Sequence, residues 1–544
     1  MSEAMSARPA ARTLGDLLDE MAAAAPHAEA VVFRDTRLDY AALKTRADEF
    51  ARALLALGIR RGDRVALLVT NRPEWLIAAF ATAKVGAILA AISTFSTPRE
   101  LAWALEHSGA KALITLDAFR GRDFIDAVQE FCLELRASLP GALCCDRLPE
   151  LRAVVSTGEA SPGVFSWPAF LALAGAIDAK ELAAAQREVS ADDICYILYT
   201  SGSTATPKGV TLAHGKVIAN GFDIGERMHL GAADRVWLAV PLFWSFGSAN
   251  ALPAIMSHGG CLVLQETFEA GDAVALIERE QCTVYYGMAN MARAMREHPA
   301  HPGRRLGAMR TGLTIGPPED IAMTIAVLGA DALCNVYGST ETYGNCAVTD
   351  ADDPLPLRLG SQGRPLPGMT IRALDLETRR ALPAGGIGEL AVSGYITPGY
   401  YGAPKLNETA FDADGFFLTG DLGSMGPDGR VRFHGRIKEM IKTGGINVAP
   451  LEVEEVLLQH PDIVQAHVVG LPDEAKGEIV AAAVELRGGA TVDGTALLAF
   501  CRERLANYKV PARLVFRTAE ELPRTPTGKI HKPSLVRELA ATAA

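Results

Sequence analysis

Hydroxyl side chains, a lysine and two glycines stand together in Thr200-Ser-Gly-Ser-Thr-Ala-Thr-Pro-Lys-Gly209. Small side chains leave backbone N–H groups accessible, the hydroxyls add donors, and Lys208 adds a positive charge. That is the chemistry a polyphosphate needs. Composition alone leaves an ordinary polar turn open. The spacing does exclude one class of nucleotide site. The P-loop of kinases and ATPases requires G-x-x-x-x-G-K-[ST], whereas Lys208 lies between Pro207 and Gly209. Further along, Glu341 sits among hydroxyls in Gly338-Ser-Thr-Glu-Thr342. A carboxylate beside hydroxyls suits a hard cation that bridges phosphates, although a lone Glu after a turn is also an ordinary solvated carboxylate. Asp421 follows Thr419-Gly420, Arg436 follows Gly435, and Lys529 closes Pro523-Arg-Thr-Pro-Thr-Gly-Lys529 near the C-terminus.

These residues need rigid elements behind them. Leu43, Ala47, Phe50, Leu54 and Leu57 recur at helical spacing, Gly58 ends that helix, and residues 64–69 read as a buried strand. The alternation continues through a helix after Trp75, an apolar run to Ile92, a helix over 98–107 and a strand over 110–115. Such βα alternation predicts helix-covered sheets. The apolar stretch from Leu76 to Ile92 is broken by Lys84 and Gly86. It is too short for a membrane span of ~20 residues and reads as a buried helix followed by a strand. Residues 140–190 are expected to form a surface excursion before the strand 194–199, which runs straight into Thr200. From 359 to 433 short β-like runs alternate with Gly and Pro turns, predicting a small β-rich subdomain. Helix and strand signals then return over the last hundred or so residues, a plausible size for a compact C-terminal domain.

A net charge of −11 argues against a nucleic-acid or anionic-membrane surface. The nine cysteines show no CxxC or metal-ligand spacing, so buried reduced thiols of a cytoplasmic protein are expected. The opening MSEAMSARPAAR has no apolar core and is not read as a secretory signal.

The segment 200–209 resembles the [ST]-S-G-[ST]-[TS]-G-x-P-K-G signature of the adenylate-forming superfamily, with Ala205 where the family usually has Gly. If that position needs a positive φ, Ala costs ~1 kcal/mol there. Five further segments occur in the family's order, and the chain resembles the AMP-forming acyl-CoA synthetase branch along nearly its whole length. The resemblance implies an α/β fold: a large N-terminal domain of two helix-covered sheets plus the β-rich subdomain over 1–436, and a small mobile α+β C-terminal domain over 437–544. It further implies that Thr200, Ser201, Gly202, Ser203, Thr204 and Lys208 hold ATP phosphates. Tyr337 would stack on adenine, Thr340 contact phosphate, and Glu341 bind Mg²⁺. Asp421 and Arg436 would take the ribose, Lys438 serve as the hinge, and Lys529 act as the catalytic lysine. Lys442, Gly444 and Gly445, in Lys442-Thr-Gly-Gly-Ile-Asn447, would face coenzyme A. The same Lys529 segment has the P-x₄-G-K spacing at which relatives are acetylated, so a lysine acetyltransferase and deacetylase are implied partners.

Pro241-Leu-Phe-Trp-Ser-Phe-Gly247 resembles the family segment over the acyl pocket. Trp244 stands where many relatives have His and where amino-acid-activating relatives have an Asp for the substrate ammonium. An aromatic ring cannot replace that charge, which disfavours amino acids. Phe243, Trp244, Phe246, Tyr286, Met288, Leu313 and Tyr343 would line an apolar, partly aromatic pocket for a medium-chain fatty, cyclic aliphatic or aromatic acid, though each is equally an ordinary core residue. The acceptor thiol is expected to be coenzyme A. A carrier-protein thiol and a non-catalytic nucleotide or acyl binder are the competing readings, and the oligomer is left open between monomer and homodimer.

Overall fold

A computed structural model describes residues 8–159, 161–200, 207–444, 446–474, 476–525 and 529–541. The chain divides into two compact units, one of residues up to 370 together with 392–417, the other of 371–391 together with 418 onward.

The first unit carries two large sheets. The longer runs in the order Arg364–Pro365, Ala347–Val348, Ala332–Tyr337, Thr311–Thr314, Val284–Tyr286, Arg235–Leu238, Cys261–Leu264, Glu29–Phe33 and Thr36–Asp39. Its six inner strands are parallel and its edges antiparallel. The apolar runs that make these strands are buried on both faces, as parallel sheets require; Trp237, Val263, Tyr285 and Leu333 are among the core residues. The second sheet orders Lys208–Ala213, Ile194–Thr200, Ile88–Ala91, Arg64–Leu68, Ala112–Thr115, Ala153–Ser156 and Val164–Ser166.

Local signals explain the helices between them. Thr97 caps Pro98–Ser108 through a reciprocal capping box with Glu100, and Gly109 ends it at φ 56°. The buried helix over the apolar stretch is Pro73–Lys84, followed by the strand Ile88–Ala91. Lys84 is only 1% exposed, and its ammonium reaches the carboxylates of Asp19 at 2.5 Å and Asp48 at 2.8 Å. The stretch from 140 to 190 differs from expectation. It supplies two sheet strands, of which Ala153–Ser156 is wholly buried. Three apolar residues followed by Ser156 are too short to show a period.

The second unit begins with a four-stranded sheet of Thr370–Leu374, Ile387–Ser393, Phe417–Met425 and Val431–Arg436. This is the β-rich region read from the Gly and Pro turns. Compactness groups it with the C-terminal strands, although the sequence places a boundary after 436. Its last strand packs on the helix Pro450–Leu458. A further sheet is built on the long antiparallel pair Ile463–Asp473 and Gly477–Leu486, with its own apolar core around Val468, Val480 and Leu497. No helix among the described residues is long and apolar enough to cross a membrane.

Replacing Lys84 by Met takes the buried cation from two carboxylates, leaving them with Lys44, and is expected to cost about 2 kcal/mol. Chemical denaturation of the two proteins checks this, and an unchanged midpoint would remove the structural role given to the ion triad.

Candidate active site

Most candidate residues of the first unit fall at one edge of the nine-stranded sheet. Phe243, Trp244 and Phe246 follow the strand Arg235–Leu238. Tyr286 ends its strand and Met288 lies just beyond it. Leu313 lies on Thr311–Thr314, and Tyr337 ends Ala332–Tyr337 with Thr340 and Glu341 in the turn after it. These are the carboxyl ends of parallel strands, where open α/β sheets bind ligands. Phe246 and Tyr286 meet ring to ring at 4.6 Å, and Phe243 lies edge-on to Trp244 at 6.0 Å. Tyr286 and Leu313 are fully buried, whereas Trp244, Phe246 and Met288 are half-buried. Tyr343 is also buried, but its hydroxyl is committed elsewhere: it accepts the Ala213 N–H at 2.9 Å.

The two ends of the 200–209 segment lie on a pair of antiparallel strands. Ile194–Thr200 pairs with Lys208–Ala213, with Thr200 opposite Lys208 and Tyr199 opposite Gly209. Ser201, Gly202, Ser203, Thr204 and Ala205 lie outside the described residues. Gly209 sits in a close approach: a Cβ there would come within 3.1 Å of His107 Cε1 and 3.0 Å of Ile197 Cγ2, so those side chains would have to give slightly. His107 Nδ1 lies 3.2 Å from the Tyr199 hydroxyl, and lost hydration lowers the His107 pKa, keeping the ring neutral.

The segment 397–401 was not singled out by sequence, and it ties these parts together. Along the outer edge of Lys208–Ala213, Tyr401 N–H donates to Gly209 C=O at 2.8 Å, Thr211 N–H to Gly399 C=O at 3.2 Å, and Val210 bridges Tyr400. The Thr397 hydroxyl donates to Thr211 C=O at 2.7 Å, and Thr397 N–H to Glu341 C=O at 2.6 Å. Tyr400 donates its hydroxyl to Glu341 Oε1 at 2.9 Å, while the Lys208 ammonium stands 5.1 Å from its ring centre. Burial, and then the Glu341 carboxylate, push the Tyr400 pKa upward, so it remains a protonated donor. Ser245 Oγ lies 3.0 Å from Thr340 Oγ1, and Thr342 Oγ1 accepts the Ser339 N–H at 2.9 Å. The one sequence signal for this strap is the aromatic pair between glycines in Gly399-Tyr-Tyr-Gly402.

In the second unit, Asp421 and Arg436 face each other in register on neighbouring strands, with Arg436 Nε 3.2 Å from Asp421 Oδ1. Asp421 is 5% exposed. The strand just before it is pinned: Thr419 Oγ1 donates to Leu390 C=O at 2.6 Å, and Gly420 N–H to Glu389 Oε1 at 3.0 Å. Lys438 lies in the one-turn helix Ile437–Glu439 that follows the Arg436 strand. Lys529 sits in the arm of a hairpin, where Thr525 N–H donates to its C=O at 2.7 Å and Arg524 bridges Ile530. Its side chain is accessible, yet lost hydration first, and then the Arg436 charge, hold its pKa below the ordinary lysine range. Lys442 is exposed on Ile441–Thr443, which pairs with Ile446–Val448 across a turn at Gly444. Gly444 has φ 58° and a Cβ there would meet nothing within 4 Å, so backbone conformation and not crowding requires glycine. Gly445 lies outside the described residues.

All nine cysteines are free, eight of them buried and Cys144 exposed. Among the described residues, two groups place three ligand-type atoms within 4.8 Å: Cys132, Glu134 and Cys145, and His229, Asp350 and Asp352. None of these is a candidate site residue.

With the site laid out, family comparison is informative. The model for AMP-binding enzymes matches residues 18–401, and the AMP-binding enzyme C-terminal domain matches 452–529. The chain therefore belongs to the AMP-binding, adenylate-forming enzymes, a family of ATP-dependent acid activation, and its acyl-CoA synthetase relatives make it an acid–thiol ligase of the AMP-forming type. It is 35% identical over 530 residues to the putative acyl-CoA synthetase YngI of Bacillus subtilis, covering 96% of each chain. It is 32% identical to the human mitochondrial medium-chain acyl-CoA ligase ACSF2, covering 97% of this chain and 88% of that one. Among solved structures, it resembles the anthranilate CoA ligase AuaEII in complex with anthranoyl-AMP, with TM-score 0.82, 25% identity and 98% of both chains covered. ATP-bound MatB from Rhodopseudomonas palustris gives TM-score 0.80 and 26% identity, with 98% and 100% covered.

Gly444→Ala forces a side chain into the left-handed region and is expected to destabilise the C-terminal strands by about 1 kcal/mol. Hydrogen exchange of the Ile441–Val448 hairpin should quicken accordingly; unchanged protection would mean the turn relaxes freely.

Proposed function

We propose that the chain uses ATP to convert a hydrophobic carboxylic acid to its acyl-adenylate, releasing pyrophosphate, and then transfers the acyl group to coenzyme A. What supports this most is the convergence of Lys208 and Glu341 on Tyr400, with Thr340 next to Glu341 and against Ser245, at the sheet edge that also carries Phe243, Trp244, Phe246 and Tyr286. The acid oxygen attacks the α-phosphorus and the bond to the β-phosphate bridging oxygen breaks. The 200–209 loop and Lys208 take the departing phosphates, Thr340 contacts phosphate, Tyr337 stacks on adenine, and Asp421 with Arg436 takes the ribose. Lys529 counters the negative charge that shifts during transfer, a contribution of ~10²–10³ in rate. Carboxylate and hydroxyl oxygens without nitrogen or sulfur form a donor set that fits Mg²⁺. Glu341 would hold the ion, which supplies charge neutralisation of the phosphates. In the second half-reaction the C-terminal domain, 437–544, turns about Lys438. Lys442, Gly444 and Gly445 face coenzyme A, its thiolate attacks the acyl carbonyl, and AMP leaves.

The ring-on-ring packing of Phe246 on Tyr286 beside Trp244 supports a medium-chain, cyclic aliphatic or aromatic acid. Relatives named as a medium-chain acyl-CoA ligase and an anthranilate CoA ligase fall within that range. Free cysteines throughout support a reducing, cytoplasmic setting. A panel of such acids tests the reading. Acid-dependent ATP–pyrophosphate exchange reports adenylation, and AMP release with coenzyme A against a carrier protein reports the acceptor. Absence of exchange with every acid would overturn it.

Lys529→Ala is expected to lower exchange ~10²-fold or more while leaving the attack of coenzyme A on supplied acyl-AMP nearly intact. Equal loss in both half-reactions, measured separately, would contradict the assigned role. Reversible acetylation of Lys529 would remove the same charge. Because its pKa is lowered, the free amine forms at lower pH than on an ordinary lysine. Its acetylation by an acyl donor should therefore rise with pH before that of exposed lysines such as Lys405. Peptide mass spectrometry across pH reads this directly, and coincident profiles would count against it.

A further inference from the structure

Tyr400 touches both ends of the proposed phosphate site, and nothing in the adenylation reading assigns it a task. Its hydroxyl donates to Glu341 Oε1 at 2.9 Å, and its ring lies beneath the Lys208 ammonium at 5.1 Å. Glu341 is 59 residues away, and Lys208 stands on a different sheet from the Glu341 turn. Tyr400 itself is 6% exposed and is not free to swing. Its backbone bridges Val210, its N–H donates to Asn407 Oδ1 at 2.7 Å, and Tyr401 N–H holds Gly209 C=O. Thr397, four residues after Ser393, fixes the Glu341 backbone from the same strap. A carboxylate held by one directed hydrogen bond has one oxygen committed to a partner and its plane set. A lysine above an aromatic face is drawn toward that ring and away from the nearby carboxylate.

We propose that Tyr400 is a positioning residue that orients the Glu341 carboxylate for Mg²⁺ and keeps Lys208 from collapsing onto it, so that cation and phosphates meet a preformed site. This rests on the adenylation reading above. The two charges, Lys208 and Glu341, would otherwise pair with each other in the absence of nucleotide and would have to separate on binding. An aromatic spacer with a hydroxyl at its far end serves both, since the face receives the ammonium and the tip receives the carboxylate.

Tyr400→Phe keeps the ring and removes the hydroxyl. Calorimetric titration with ATP, once with Mg²⁺ and once with EDTA, separates its effects from adenylation. We expect the Mg²⁺-dependent part of ATP affinity to weaken about tenfold, as for loss of one hydrogen bond to a charged group, with binding in EDTA unchanged. In pyrophosphate exchange, the half-activating Mg²⁺ concentration should rise about as much, with the KM for the acid unmoved. In a Glu341→Gln background the Tyr400→Phe change should add nothing to the loss of Mg²⁺ response. Equal weakening with and without Mg²⁺ denotes a merely structural residue and overturns the inference. So does a Tyr400→Phe protein indistinguishable from wild type. Wild-type protein that shows no Mg²⁺-dependent ATP binding overturns the adenylation reading itself, which is a different result.

Discussion

An edge strand presents backbone N–H and C=O groups that no ladder partner satisfies. Lys208–Ala213 is such an edge in the seven-stranded sheet, and it is also one arm of the phosphate-loop hairpin. The chain meets that constraint with residues 397–401, which take up Gly209 C=O and the Thr211 N–H and C=O. Because Thr397 and Tyr400 also hold the Glu341 turn, covering one exposed edge joins two sheets at the place where charge is needed. Loop and carboxylate are thereby referred to one short segment of backbone.

The second unit solves a different electrostatic problem. Asp421 is almost fully buried and would be costly as an unpaired charge. Register places Arg436 directly across the ladder from it, so the ion pair is a consequence of strand pairing and not of flexible side chains finding each other. Lost hydration, and then the same guanidinium, depress the Lys529 pKa. Two cations held near one another are unfavourable in the free protein and become favourable when an anion arrives between them. Under the adenylation reading that is the intended order, since the charge is organised before the phosphoryl group moves.

Much of this was legible because it is local. The helix over 98–107, a helix-ending Gly58 and a strand running into a hydroxyl-rich segment are each contained in a few consecutive residues. What escaped was non-local or too short. Ala153–Ser156 offers three apolar residues and a serine with no period, so a core strand read as surface. Tyr400 gains its meaning only from Glu341 and Lys208, neither of which is near it in sequence. The boundary between units differed for the same reason: the strand Val431–Arg436 takes its company from the helix Pro450–Leu458, a contact that composition does not reveal. Lys84 looked like an interruption of an apolar run and is instead the centre of a buried ion triad.

The acyl side of the site is not independent of the phosphate side. Trp244 and Phe246 flank Ser245, whose hydroxyl lies 3.0 Å from Thr340 Oγ1. Directly after Ser245 the chain takes a π-helical turn, Phe246–Ala251, and Trp244 C=O accepts both the N–H and the hydroxyl of Ser248. Wide turns of this kind are rare and concentrate at functional sites. Here the turn lets two aromatic residues project beside the strand ends while Ser245 keeps its contact with Thr340. A bulkier or smaller group at 244 would move the backbone that carries Ser245, and Thr340 would feel it through a single hydrogen bond. Under the adenylation reading, selection of the acid and handling of the phosphate would be mechanically coupled through the Ser245–Thr340 contact.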